Sequence, residues 1–311
     1  NSWMQTPVAY RVDELGLLHA TDWLAVIFNP SFPYRFIHMI LAAYLTTAFM
    51  VGGIGSYYLL KGKYVAHGKV MLGMATLMAA IVAPLQLVVG DAHGLNTLEH
   101  QPAKVAAMEG IWETQRGADL QLLAWIDEEK EETRSFLSIP NGASWVLTHH
   151  ADGELKGLKE WAKEDRPPVN WVFWCFRVMV GLGMAMIGVG LLGALLHLRK
   201  KLFETRWYHR IFMVMAPSGF IALLAGWFVT EIGRQPWVAY GVMRTAEGVS
   251  PGVPAEGILI TLIAFIVVYT MVFGAGVFYM FKLIGKGPQT KETDPAKRTA
   301  GVSGRLGTKE A

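Results

Sequence analysis

Five apolar runs decide what this chain can become. They cover about Phe36–Leu60, Val70–Val89, Trp171–Leu196, Ile211–Thr230 and Ile258–Phe281. A helix needs roughly 20 apolar residues to cross about 30 Å of hydrocarbon. Each run meets that length. In lipid, every backbone polar group must be satisfied within the chain, so such runs are predicted to be helices. Charged residues make up 17% of the 311 residues and apolar ones 52%, against roughly 25% charged in an average soluble domain. The expected fold is all-α, a polytopic transmembrane helix bundle. The single cysteine, Cys175, lies within the third run, so an intrachain disulfide is excluded. Net charge, at +3, is informative only through its distribution.

The linkers differ in charge. KGKYVAHGK, after the first run, holds three basic residues and no acid; HLRKKLFETRWYHR, after the third, holds five and one. The tail from Lys282 holds seven basic residues. The intervening segment 90–170 carries eight basic and fifteen acidic residues. The excess of Lys and Arg on cytoplasmic loops predicts a cytoplasmic C-terminus and places residues 1–35, 90–170 and 231–257 on the outer side. The organisation read from this is an outer segment 1–35 with the tail of a preceding helix, two spans in 36–89, an outer loop 90–170, three spans in 171–281 and a polar, disordered tail 282–311. The opening NSWMQTPVAY reads as the end of an earlier helix and suggests a fragment. Within the loop, AKVAAMEGIWE looks helical, and the acidic run DEEKEE reads as a solvated face.

Ionisable residues in apolar spans are costly and therefore candidates for function. His38 is the only histidine within the five runs. Arg177 and Met179 lie near the outer end of the third, in FRVMVGLGMAM. Trp227, Glu231 and Arg234, in GWFVTEIGRQPW, are spaced to share one helix face. Glu231 stands at a helix C-terminus, the wrong end for an anion, so it calls for a proton, a cation or a metal. The plainer readings are an interfacial Glu–Arg pair beneath a Trp, an interhelical hydrogen bond for His38, and close helix packing through Gly181 and Gly183. The alternative is haem. His and Met form an axial pair for haem iron, Gly181 and Gly183 would let a flat macrocycle approach, and Arg177 could hold a propionate. For Lys104 and Glu109 in the outer segment, a solvated helix face is the plainer reading.

The motifs GWFVTEIGRQPW, FRVMVGLG, PYRFIHMILAAY and QPAKVAAMEGIWE, in that relation, resemble subunit I of the cytochrome bd-type quinol oxidases, over most of the chain. The resemblance implies that His38 and Met179 are axial ligands of a low-spin haem b, with Arg177 beside it. It implies that Glu231 is a ligand of a high-spin haem b, with Trp227 and Arg234 in that haem's environment. Residues 90–170 would be the periplasmic quinol loop, of the short type seen in the cyanide-insensitive branch. Lys104 and Glu109 would act in quinol oxidation, with Gln101 a weaker match. A third haem, haem d or a b-type replacement, would complete the set. The family carries further helices before NSWMQ, with a histidine and acidic residues for the high-spin haems and the proton path. The chain alone is therefore not expected to assemble the oxygen-reducing centre. The implied activity is electrogenic quinol:oxygen oxidoreduction in a bacterial inner membrane. The implied partners are quinol, O2, subunit II, a small accessory subunit and lipid, with no nucleic acid. A haem b electron carrier without its own oxygen site, and an ion transporter using Glu231 and Arg234, remain the competing functions.

Overall fold

A computed structural model describes residues 1–14, 16–249 and 252–288. The chain opens with α1 (Ser2–Gln5), a hairpin of β1 (Tyr10–Val12) and β2 (Leu18–Ala20), and α2 (Trp23–Ile27). Two long helices follow, α3 (Phe32–Lys61) and α4 (Val65–His100), then the short α5 (Pro102–Glu109). The loop segment contributes β3 (Gln115–Arg116), β4 (Leu120–Asp127), β5 (Glu132–Ile139), α6 (Gly142–Thr148) and β6 (Glu154–Leu155). Helices α7 (Val169–Leu198), α8 (Arg206–Val214) and α9 (Ser218–Ile232) complete the bundle, followed by β7 (Trp237–Ala239) and β8 (Met243–Arg244). Residues 255–311 form a separate unit, of which α10 (Ala255–Lys286) is described; it is apolar along its length, as a span requires. The five spans are present as helices long and apolar enough to cross a membrane, so this is a multi-pass membrane protein.

Three boundaries differ from the sequence reading. The second span continues well past Val89 to His100, because GDAHGLNTLEH keeps its helical bonds after its apolar character is lost. Consequently His38 is not alone: the extension adds His93 and His100 to α4, and the helices also carry His67, His197 and His209 near their other ends. The fourth span is two helices, broken between Val214 and Ser218, where Pro217 lacks the amide hydrogen a continuous helix needs. The break, Met215 to Pro217, carries no ionisable residue, unlike the mid-membrane ion site a transporter would build. The final helix extends to Lys286, into the segment expected to be disordered; residues 289–311 of that expected tail lie outside the described residues.

Within residues 1–254, α3 packs against α4 and α9, and α7 packs against the same two helices. Among the described residues, α3 and α7 touch each other at most marginally, so they stand diagonally across a four-helix arrangement. Without a hydrophobic drive between helices in lipid, contact depends on small residues that let backbones approach. A Cβ at Gly190 on α7 would lie 2.8 Å from the Ala79 carbonyl carbon of α4, and one at Gly219 on α9 would lie 2.5 Å from Thr46 Cα of α3. Phe49 and Phe212 stack at 5.0 Å in the main core, with Leu45, Leu72 and Tyr208 around them.

The loop segment is not an idle connector. β4 and β5 form an antiparallel hairpin, pairing Trp125 with Arg134 and Asp127 with Glu132. This hairpin was not legible beforehand, since LQLLAWID lacks a clean two-residue alternation. The acidic run forms its tip and is only partly a solvated face. Glu131 accepts ion pairs from Lys163 at 3.1 Å and Arg166 at 3.0 Å. Glu128 accepts from the Asn170 amide at 2.7 Å, placing an anion at the start of α7, where the helix dipole favours it. Gly110, at φ 66°, closes α5 in the left-handed conformation, and its carbonyl accepts from Thr133 of the hairpin at 2.6 Å.

Gly190→Val is expected to cost at least the roughly 1–3 kcal/mol of an overpacked core, because backbone rather than a movable side chain faces it. Thermal unfolding of the detergent-purified protein would show this as a lowered midpoint, and an unchanged midpoint would contradict the α4–α7 contact.

Candidate functional site

The singled-out residues gather at the end of the bundle that carries the loop segment. Helices α3 and α7 start there, and α4 and α9 finish there. His38 lies in the first turns of α3. Across from it on α4, His93 approaches to 5.5 Å between ring centroids. One His38 nitrogen meets the Gln86 amide at 3.3 Å. The other, Nδ1, is buried without a hydrogen-bond partner among the described residues. A buried imidazole nitrogen without a partner among the described residues is an orphaned polar atom that a bound group could satisfy.

Met179 packs against α9, its Sδ 2.7 Å from where a Gly226 Cβ would stand; a side chain there would displace the sulfur. Gly181 and Gly183 have no neighbour within 4 Å of their would-be Cβ positions. The reading of these two as close helix-packing glycines is therefore corrected: they face open space.

Helix contacts give the relative depth of His38 and Met179. A Gly90 Cβ would lie 3.2 Å from His38, so Gly90 and His38 are level. Ala79 and Gly190 are level by their contact. From Ala79 to Gly90, and from Gly190 back to Met179, each helix rises about 16 Å. The route through α9 agrees. Thr46 meets Gly219 and Met179 meets Gly226; the rises to His38 and to Gly226 are about 12 and 10 Å. His38 and Met179 thus stand at one depth on diagonal helices. The buried, unpartnered nitrogens of His38, His93 and Arg35, with the open face of Gly181 and Gly183, fit a haem better than a closed apolar core.

α9 ends at Ile232, so Arg234 lies in the turn beyond it rather than on the shared helix face expected for Trp227, Glu231 and Arg234. Gly233 and the following Gln235–Pro236 turn the chain. Arg234 swings back and pairs with Glu231 at 2.7 Å, while donating to Asn1 at 3.0 Å; Asn1 also donates to Glu231. Trp227 is 52% exposed, apart from that pair. Glu231 thus has the partner that the plainer reading asked for, and its carboxylate remains partly accessible.

Lys104 and Glu109 are not on a solvated face: they are 3% and 4% exposed. Lying about 140° apart around α5, they serve two places. Lys104 Nζ donates to Gln5 Oε1 at 2.6 Å and to the Thr230 carbonyl at 3.3 Å, beside Glu231. Gln101 Nε2 donates to the Gln5 carbonyl at 2.7 Å. Gln5, fully buried, is a site residue that sequence reasoning missed; nothing local marks it, since its partners are about a hundred and more residues away. Burial holds the Lys104 ammonium well below the usual lysine range, with Arg35 and Arg234 adding to the effect and Glu231 opposing it.

Glu109 accepts from Arg177 Nη2 at 2.7 Å. Arg177 also donates through Nε to the Gln121 carbonyl and lies 4.6 Å over the Phe173 ring. The arginine two residues from Met179 is thereby tied to the loop segment. Glu109 also lines an open cleft of about 360 Å³ with Trp112, Gln121, Thr133 and Arg134. Gln121 Oε1 is buried there without a partner. The described residues hold no cluster of three or more His, Cys, Asp or Glu fit for a free metal ion.

A membrane-spanning bundle with an imidazole and a thioether level on diagonal helices, capped by a folded loop, defines a class of integral membrane protein suited to hold haem. The cytochrome bd terminal oxidase subunit I family matches over residues 1–288, and the chain belongs to that family. Subunit 1 of the cytochrome bd ubiquinol oxidase of Bacillus subtilis (strain 168) is 36% identical over 299 residues, 93% of this chain and 64% of its own length. The corresponding cytochrome bd-II subunit of Escherichia coli (strain K12) is 27% identical, covering 97% of this chain and 71% of its own. The bd oxidase structure from Geobacillus thermodenitrificans superposes with a TM-score of 0.82 at 29% identity, over 93% of this chain and 66% of that one. The chain spans about two thirds of the length of these relatives. Haem is the cofactor this family implies.

The Glu109–Arg177 pair should show a coupling of about 0.5–3 kcal/mol in a double-mutant cycle of Glu109→Gln and Arg177→Gln, read from thermal or denaturant unfolding; additive effects would mean that the pair is not formed. Lys104 has a separate signature. With its folded value below the ordinary 10.5, the unfolded chain binds more protons between the two values. Stability should therefore rise with pH across that window. Lys104→Met should flatten the rise, as measured by unfolding midpoints between pH 7 and 10.

Proposed function

We propose that this chain is the haem-bearing subunit of a respiratory terminal oxidase that oxidises quinol and reduces oxygen to water. The observation that carries this reading is the level placement of His38 and Met179 on diagonal helices. Family membership supports the reaction class. His38 and Met179 would hold a low-spin haem b. Glu231, steadied by Arg234 and Asn1, serves a high-spin haem b, and a third haem, d or b-type, completes the set. When bound, the haems supply one-electron transfer and oxygen reduction.

The chain's own residues handle the quinol. A quinol that gives up two electrons also gives up two protons. The cleft beside Glu109 is large enough for a quinol ring, and when Arg177 releases its carboxylate Glu109 accepts the two protons in turn, passing each through the open cleft to outer water. Gln121 Oε1 offers a hydrogen-bond acceptor in the same cleft. Lys104, anchored by Gln5 and Thr230, holds α5 against the end of α9. Arg177 joins the quinol cleft to the helix that carries Met179, so the two redox sites share one rigid element. The cleft lies on the outer side of a bacterial inner membrane, and oxygen takes its protons from the cytoplasm. This sidedness separates charge. Subunit II and a small accessory subunit are the protein partners.

Met179→Leu and His38→Ala should each abolish the low-spin signal in reduced-minus-oxidised spectra of the complete oxidase while the high-spin signals largely survive; unchanged spectra would remove the ligand assignment. Glu109→Ala should slow quinol oxidation by about 10²-fold or more while artificial electron donors remain effective. Equal loss with both donors would count against a substrate role.

A further inference from the structure

We infer that Arg35, with His93, binds a propionate carboxylate of the haem held by His38 and Met179. The inference rests on that haem reading and adds to it two residues that had been given no role: Arg35, within the motif PYRFIHMILAAY, and His93, outside the motifs. Arg35 lies one helical turn nearer the loop end than His38 on α3. Its Nε is buried without a hydrogen-bond partner among the described residues, and so is His93 Nε2. His93 reaches the same region from α4, against the His38 ring.

Among the described residues no carboxylate pairs with Arg35. Its charge interacts with Glu231 and Arg234 and is felt by Lys104, His38 and His93. Glu231 is the one acid in that group, and it is engaged by Arg234 at 2.7 Å and by Asn1. Arg35 enters no ion pair among the described residues. A partly buried guanidinium whose Nε is buried, and which enters no ion pair among the described residues, is costly, because that desolvation is not repaid. The anion that satisfies it must be planar and must present two oxygens to a guanidinium fork. A carboxylate does so, and the propionates are the carboxylates a haem brings. The propionate could belong to the His38–Met179 haem or to the haem at Glu231. The position of Arg35 and His93 around His38 assigns it to the first.

The test uses the complete oxidase, with haem carrying 13C in its propionate carboxyls. Redox titration followed at the low-spin bands reads the potential, and redox-difference infrared spectra read the labelled carboxylate. Arg35→Gln should leave the low-spin haem bound but shift its ferrous–ferric equilibrium about tenfold towards ferric, 59 mV for one electron, because a cation near the haem favours the reduced state. The labelled carboxylate band should move in the same variant and in His93→Leu. Arg35→Lys should recover most of the potential. An unchanged potential and an unmoved band would overturn the inference, as would shifts confined to the high-spin haem. Should Arg35→Gln fail to assemble, Arg35→Lys and His93→Leu decide at the labelled band: movement supports the inference and its absence overturns it. His38→Ala separates the two levels. Loss of the low-spin signal there, with Arg35→Gln silent, sinks this inference alone; persistence of the signal sinks the haem reading and this inference with it.

Discussion

Charge buried at the edge of a bilayer must be answered by other charge or by a ligand, and this constraint organises the loop end of the molecule. Four basic residues, Arg35, Lys104, Arg177 and Arg234, converge there, and two acids, Glu109 and Glu231, are paired among them. Each pairing joins parts that are distant in sequence or fixes the chain's exit from a helix. Glu109 to Arg177 joins the loop segment to α7. Lys104 to Gln5 and Thr230 joins it to the N-terminal segment and the end of α9. Removing one partner from such a pair costs more than the pair contributes, because the survivor stays buried and unsatisfied. The loop segment is therefore held in a defined position over the helices.

That position connects the two halves of the proposed chemistry. α5 has only two turns, and its two ionisable side chains point to different places. Glu109 faces the cleft and Arg177, close to Met179 in sequence. Lys104 faces the end of α9, beside Glu231. A short helix whose faces meet the two proposed sites can position a substrate against one while remaining anchored to the other. The hairpin β4–β5 supports α5 through Thr133 and covers the start of α7 through Glu128, so the cleft has rigid walls.

Much of the fold was legible because hydrocarbon imposes a length and a composition on any chain that crosses it. The spans, their order and the candidates His38, Arg177, Glu231 and Arg234 follow from apolar runs and from the few polar residues at their ends, whereas Met179 stood out through its glycine-rich setting and the family resemblance. The extension of α4 to His100 was not legible, since hydrophobicity marks where a helix meets lipid and not where its hydrogen bonds stop. The same gap hid His93. Gln5 and the burial of Lys104 were hidden for a different reason: a polar residue in a short segment looks solvated until its partners are known.

The sequence by itself determined a multi-pass helical protein and the residue types able to bind iron, because one-dimensional hydropathy and spacing contain that information. Only the tertiary structure decided that His38 and Met179 stand level on opposite helices, that Glu109 pairs with Arg177, and that Arg35 enters no ion pair among the described residues. Those facts depend on which helix lies beside which and at what height, and that is set by close contacts at Gly190, Gly219 and Gly226 between segments far apart in the chain.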